Sequence, residues 1–284
     1  MSRTVYVNGN YVPEEQAMVS VFDRGFLFAD AVYEVTAVLQ GKLVDYAGHM
    51  ARLERSLGEL GMIMPSNPNT LLAIHREMID RNQLDEGGIY LQVTRGVADR
   101  DFIYPKDTPQ TLVLFTQAKS IIENPQARTG IRVISLPDIR WGRRDIKTVQ
   151  LLAASMAKMQ AKAQGKDDAW LVEDGLVTEG SSSNAYIVTR EGTIVTRNLS
   201  RSILPGITRK AVLQLAREST IQLEERPFSL EEAFNATEAF ITSATTLVCP
   251  VVEIDNQPIA NGRPGPVATR LRQLYMQEAA NALL

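Results

Sequence analysis

Apolar and polar positions along this chain follow two periods, and the switches between them mark its elements. Residues 4–7 and 11–12 flank Asn8-Gly9, a two-residue hairpin signal. A short strand is predicted at 19–22, broken at Asp23-Arg24-Gly25. A second hairpin joins 32–39 to 42–45 through Gln40-Gly41. The period then becomes helical over 46–61, with Met50, Leu53, Leu57 and Leu60 on one face and Gly61 as the stop. Another helix is predicted over 69–82, followed by strands at 88–95 and 111–117. The stretch between those strands is polar and contains prolines, and loops of that length are commonly functional.

Patterning lapses around Asn124-Pro125, which marks residues 119–128 as a linker between a domain at 1–118 and a larger one at 129–284. The second half carries a strand at 131–135 and a helix at 149–164. A hairpin follows at 168–178, turning at Asp174-Gly175, with strands at 185–188 and 193–196. Helices are expected at 208–218 and 229–235, strands at 238–241 and 247–254, and a terminal helix at 266–280. Strands and helices mixed in two halves, with many hairpins, argue for an α+β fold rather than a doubly wound parallel sheet.

Composition narrows the function classes. The 284 residues are 44% hydrophobic and 22% charged, with a net charge of −3, so nucleic acid is a poor electrostatic partner. No apolar run reaches the roughly 18 residues of a membrane helix, and the first residues have no signal-peptide core, so a cytoplasmic location is expected. One cysteine, Cys249, precludes a disulfide framework within the chain and suits a reducing compartment. His49, His75 and Cys249 cannot assemble a His/Cys zinc site, and no metal is expected. Neither histidine has the setting of a hydrolytic triad, which leaves lysine or cofactor chemistry.

Residues 140–184 hold the pieces for that chemistry. Lys147 alternates with Asp145 and Val149 on an extended approach to the predicted helix, a placement that aims an amine into a cleft. Glu179 precedes Gly180 and the serines Ser181, Ser182 and Ser183. A lysine, an acid and a hydroxyl-rich loop suit pyridoxal 5'-phosphate: the lysine forms a Schiff base, the acid pairs with the ring nitrogen, and hydroxyl and N–H groups take the phosphate. Leu204-Pro205-Gly206-Ile207-Thr208 leads into a helix, whose free N–H groups suit an anion. The hydroxyl cluster at 242–246 could approach the same phosphate, and Arg52 shares a helix face with His49. Taken singly, each piece reads equally as something ordinary: one of thirty basic residues, a solvated turn, a routine helix cap.

Together the pieces resemble the fold-type IV pyridoxal-phosphate enzymes, the class IV aminotransferases. The similarity lies in FDRGFLFADAVYE (22–34), HMARL (49–53), YLQVTRG (90–96), RWGRRDIKTVQLL (140–152), TEGSSSN (178–184) and LPGITR (204–209), in the family order. The resemblance implies a two-domain fold, with a smaller N-terminal α/β domain and a larger C-terminal pseudo-barrel domain carrying the cofactor lysine. It implies that Lys147 binds the cofactor and shuttles the proton, and that Glu179 pairs with the ring nitrogen. By the same resemblance, Arg52, Ile207, Thr208, Thr245 and the Ala244 N–H take the phosphate. Ser181, Ser182 and Ser183 line the cofactor pocket, Arg140 faces the ring hydroxyl, and Tyr33 belongs to the substrate wall.

Within the family the chain is most similar to the D-amino-acid aminotransferases, which implies ping-pong exchange between D-amino acids and 2-oxo acids in a homodimer with active sites at its interface. Members of that subgroup carry an Arg-x-His pair in the loop after residue 95, which holds the substrate α-carboxylate in the neighbouring subunit. Arg100 stands on the arginine position, but Phe102 replaces the histidine. Alanines Ala29 and Ala31 stand where the family usually has glycine. An (R)-amine or branched-chain L-amino-acid transaminase, an aminodeoxychorismate lyase, or a non-catalytic cofactor-binding protein are the alternative readings.

Overall fold

The structure, a computed structural model, describes residues 2–282 and 284, and these form two compact units. The first runs to Ser120 and also takes in Ile146–Gln150 and the residues from Ala282 onward. The second comprises Ile121–Asp145 and Leu151–Asn281.

In the first unit, β1 (Thr4–Val7) and β2 (Asn10–Pro13) meet at the predicted Asn8-Gly9 turn, where both residues have positive φ (+46° and +95°). A short helix, α1 (Arg24–Phe28), is N-capped by Asp23, whose Oδ1 accepts from the Gly25 N–H at 2.7 Å. Next come β3 (Ala31–Leu39), β4 (Lys42–Leu43), α2 (Tyr46–Glu59), α3 (Pro68–Asn82), β5 (Gly87–Thr94) and β6 (Thr111–Ala118). The six strands form an antiparallel sheet in the order β2-β1-β6-β5-β3-β4. Helices α2 and α3 bury Leu53, Leu57, Leu71 and Met78 against Val32, Leu91 and Leu114 of the sheet. Each such side chain contributes about 1.5–3 kcal/mol on burial.

The second unit starts with α4 (Pro125–Thr129), β7 (Ile131–Pro137), α5 (Leu152–Ala163), β8 (Asp168–Glu173), β9 (Leu176–Gly180), β10 (Asn184–Val188) and β11 (Ile194–Thr196). It continues with α6 (Ile207–Glu218), β12 (Leu223–Glu225), α7 (Leu230–Phe234), β13 (Glu238–Ser243), β14 (Leu247–Ile254), β15 (Gln257–Pro258) and α8 (Pro266–Asn281). Its mixed sheet runs β12-β11-β10-β13-β14-β7-β8-β9, with β15 on β14. Three pairs are parallel: β11 with β12, β14 with β7, and β7 with β8. Trp170 and Phe228, edge to face at 5.9 Å, anchor one apolar cluster. Among the described residues no helix is long and apolar enough to cross a membrane.

Several elements differ from the sequence expectation. Residues 19–22 form no strand: the pairing here stops at one bond from the Ala98 N–H to the Phe22 carbonyl and an isolated bridge from Asp23 to Val97. Met18, Val19, Val21 and Phe22 are instead exposed. The expected linker 119–128 contains the start of α4, which packs on β14. The helix expected from residue 149 begins at Leu152. Residues 146–150 are held extended by an isolated bridge from Thr148 to Val32 and by the Val149 N–H bonded to the Ala31 carbonyl at 3.2 Å. Those contacts group Lys147 with the first unit, where the sequence placed the cofactor lysine in the second.

Candidate active site

Strand β3 sends neighbouring residues to opposite faces of the first unit's sheet. Glu34 points toward α2 and is fully buried. It accepts from Arg52 twice, Nε to Oε1 at 2.8 Å and Nη2 to Oε2 at 2.7 Å, while His49 Nδ1 lies 2.7 Å from Oε2. Burial opposes the charge on Glu34, but the Arg52 guanidinium and the two sets of hydrogen bonds outweigh it and hold the carboxyl down at about 2. Arg52 and His49 therefore meet on one carboxylate, and Glu34 fixes the guanidinium's direction. Sequence reading passed over Glu34. The signal was there: an acid on the same strand face as Val32, Thr36 and Val38, where only a buried cation can satisfy it.

Tyr33 faces the other way. Its ring stacks on Tyr90 at 5.4 Å, and Tyr90 stacks on Phe115 at 4.7 Å. Lys147 Nζ sits 4.1 Å from the centre of the Tyr33 ring, and the Tyr33 N–H donates to the Lys147 carbonyl at 3.0 Å. Among the described residues Nζ has no hydrogen-bond or ion-pair partner, so the half-buried amine is held only by an aromatic face. Arg100 and Phe102 lie on the exposed loop between β5 and β6. The Arg100 Cζ is 5.5 Å from the Phe28 ring and 5.7 Å from the Phe102 ring, and Phe102 meets Phe28 edge on at 5.6 Å.

In the second unit Glu179, on β9, is buried and fully partnered. It accepts from Arg140 Nη1 at 2.7 Å, from Asn184 Nδ2 at 3.0 Å and from the Leu204 N–H at 3.2 Å. Burial pushes its carboxyl above the usual range, opposed by the Arg140 charge and hydrogen bond and by the Leu204 N–H. Arg140, the residue expected beside the ring hydroxyl, also binds Asp138 through Nε and Nη2 at 2.9 and 2.7 Å, so its guanidinium spans two carboxylates. Burial disfavours the Arg140 charge, yet those two acids raise its pKa above the ordinary arginine value.

The serines separate by role. Ser181 Oγ donates to Asp168, Ser182 is exposed, and Ser183 Oγ is buried without a partner among the described residues. A Cβ at Gly180 would meet Ser183 Oγ, so a larger residue there would turn that hydroxyl aside. Asn184, which starts β10, also donates to the Leu204 carbonyl at 2.9 Å and leaves room only for a glycine at 206. Gly206 is the N-cap of α6 with no side chain capping the helix, so the first-turn N–H groups at Ile207 and Thr208 face outward from the helix start. The pairing of β10 with β13 sets Asn184 opposite Thr242, which puts the turn holding Ala244 and Thr245 at the same end of the sheet.

The comparisons with known proteins converge on one group. The model of the family "Amino-transferase class IV" matches residues 31–254. A D-alanine aminotransferase of Bacillus licheniformis is 39% identical over 283 residues, 98% of this chain and 99% of that one. A D-alanine aminotransferase of Staphylococcus aureus is 35% identical over 271 residues, 95% of each chain. Among solved structures, a branched-chain aminotransferase of Thermoproteus uzoniensis with norvaline superposes with a TM-score of 0.88 at 25% identity, covering 99% of this chain and 96% of its own.

Proposed function

The chain belongs to the class IV aminotransferases, and from that premise we propose that it is a pyridoxal-phosphate-dependent transaminase moving an amino group between D-amino acids and 2-oxo acids. The observation that carries this reading is Lys147: an amine without an ionic partner among the described residues, set on an aromatic face. The residues present fit the cofactor. An amine suits its aldehyde, a buried carboxylate its ring nitrogen, and an uncapped helix start with nearby hydroxyls its phosphate; Ser183 Oγ is an orphaned polar atom on the same turn as that carboxylate.

When bound, pyridoxal 5'-phosphate supplies the electron sink for charge leaving the substrate Cα. The protein supplies the rest. Lys147 Nζ would hold the cofactor, and the same amine would take and return the proton at the substrate Cα. Glu179 would pair with the ring nitrogen and hold its proton there, and Arg140 would keep Glu179 charged and aimed. The N–H groups of Ile207, Thr208 and Ala244, the Thr245 hydroxyl and the Glu34-directed Arg52 take the phosphate. Ser181, through Asp168, shapes the turn that Ser182 and Ser183 complete. Tyr33 forms part of the substrate wall. Arg100, with Phe102 beside it, meets the α-carboxylate of substrate bound in the partner subunit of a homodimer. The exposed apolar residues Phe102, Ile103 and Tyr104 on this loop support such an interface. A single, buried cysteine, Cys249, supports a cytoplasmic location.

A half-reaction screen tests the reading. D-Alanine and D-glutamate should bleach the visible absorbance of the bound cofactor, and L-leucine should not. Equal bleaching by L-leucine would remove the D-preference. Lys147→Ala should lose both turnover and the covalent attachment, and full activity in that variant would sink the mechanism.

A further inference from the structure

The loop between β5 and β6 is fastened at more points than its exposure suggests. At its base, the Arg24 N–H donates to the Gly96 carbonyl at 2.8 Å, and the Ala98 N–H to the Phe22 carbonyl at 3.2 Å. Gly96 has φ +104°, and a Cβ there would stand 2.0 Å from the Pro109 carbonyl oxygen, so the two ends of the loop close on each other only through glycine. Farther out, two buried arginines share one carboxylate oxygen. Arg24 Nε and Arg95 Nε reach Asp30 Oδ2 at 2.8 and 2.7 Å. Arg24 Nη1 then donates to the Asp101 carbonyl at 2.6 Å, and Arg95 Nη2 to the Leu60 carbonyl at 2.8 Å. The ring of Tyr104 lies over Arg95, 3.8 Å from Cζ, and 5.4 Å from the Arg24 Cζ.

We propose that Asp30, Arg24, Arg95 and Tyr104 form a clasp that fixes this loop and thereby sets the reach of Arg100. The chain of contacts is continuous. Asp30 directs both guanidiniums; Arg24 grips the backbone one residue beyond Arg100 and touches the Phe28 ring at 4.5 Å, on which Arg100 also rests. Tyr104 closes the clasp from the far side of the loop. Two cations share one anion, and the electron-rich face of Tyr104 takes up part of the surplus positive charge. Tyr104 touches no reacting atom. It is a positioning residue, and it governs how tightly an α-carboxylate is held rather than how fast the proton moves. The inference rests on the reading of Arg100 as the carboxylate-binding residue.

The test uses the holoenzyme with Tyr104→Leu, which removes the aromatic face, and Tyr104→Phe, which keeps it. Asp30 and Arg24 are poor choices, since losing either leaves buried charge unpaired and threatens folding. Tyr104→Leu should raise KM for D-alanine about tenfold with kcat within about twofold, and the visible spectrum of the bound cofactor should not change. Tyr104→Phe should restore KM to within about twofold. Amide exchange over residues 97–109 should quicken in the leucine variant alone, under conditions where both variants sediment as the wild type does. Arg100→Ala separates the two layers. If it raises KM while Tyr104→Leu does not, or if Tyr104→Phe is as impaired as Tyr104→Leu, the clasp is wrong and the role of Arg100 stands. If Arg100→Ala leaves KM unchanged, the carboxylate role is wrong. The clasp is then decided by exchange alone: it stands if Tyr104→Leu quickens exchange at 97–109, and falls if it does not.

Discussion

Glu34→Gln is the sharpest probe of how the first unit is held. The substitution keeps size and shape but removes the charge on which Arg52 and His49 converge. The native carboxyl lies at about 2 against an ordinary 4.5. At about 1.4 kcal/mol per unit, that difference stabilises the folded state by about 3 kcal/mol at neutral pH. Breaking one side of a buried pair gives the same scale, about 3–5 kcal/mol. The sign follows from the lowered value. Unfolded chains bind the proton first as pH falls below 4.5, so the contribution is complete above that pH and is lost as pH falls toward 2. Both tryptophans, Trp141 and Trp170, belong to the second unit, so fluorescence would report on the wrong part of the chain. Amide exchange in β3 and α2 reads the right part. Wild type and variant should differ in opening free energy by about 3 kcal/mol at pH 7 and by about half that at pH 3. A gap under about 1 kcal/mol at pH 7, or one that does not shrink with acid, would refute the argument.

Two further predictions concern titration. His75 is fully buried, with Nδ1 donating to the Leu71 carbonyl at 2.7 Å and Nε2 unpartnered among the described residues, and burial lowers its pKa to about 4. Unfolded chains take up that proton near 6.5, so stability falls between pH 6.5 and 4; His75→Phe should flatten this stretch of an exchange-monitored stability profile by about 3 kcal/mol. Arg140→Met removes a charge and a hydrogen bond that hold the Glu179 carboxyl down against burial. The acid limb of kcat should then move to higher pH, and an unmoved limb would mean that Arg140 does not tune Glu179.

What was legible in the sequence was local. Asn8-Gly9 and Asp174-Gly175 announced hairpins because their left-handed φ values belong to those residue types. The helical period over α2 placed Leu53 and Leu57 in the core without reference to anything distant. Misreadings came where a distant partner decides. The apolar residues 19–22 alternate like a strand, but a strand needs a neighbour, and pattern cannot supply one. The late start of α5 depends on Thr148 meeting Val32, more than a hundred residues earlier. At the candidate site, residue types and motif order pointed to Lys147 and Glu179. Their immediate partners stayed hidden: Asp138, which binds Arg140 and accepts from Thr178 Oγ1 at 2.7 Å, belongs to no motif. The α1 helix was missed because five residues are too few to show a period.

The five residues Ile146–Gln150 bear on how the protein comes to be made. Their loan to the first unit means that no single cut in the chain releases that unit whole. A ribosome delivers β1 through β6 well before it delivers the segment that bridges to Val32. The sheet must therefore wait, with one flank of β3 unbridged, while much of the second unit's sequence is still untranslated. The Lys147 amine reaches the first unit as a late arrival, so a truncated product ending near Ser120 would carry the aromatic face of Tyr33 and nothing to place on it.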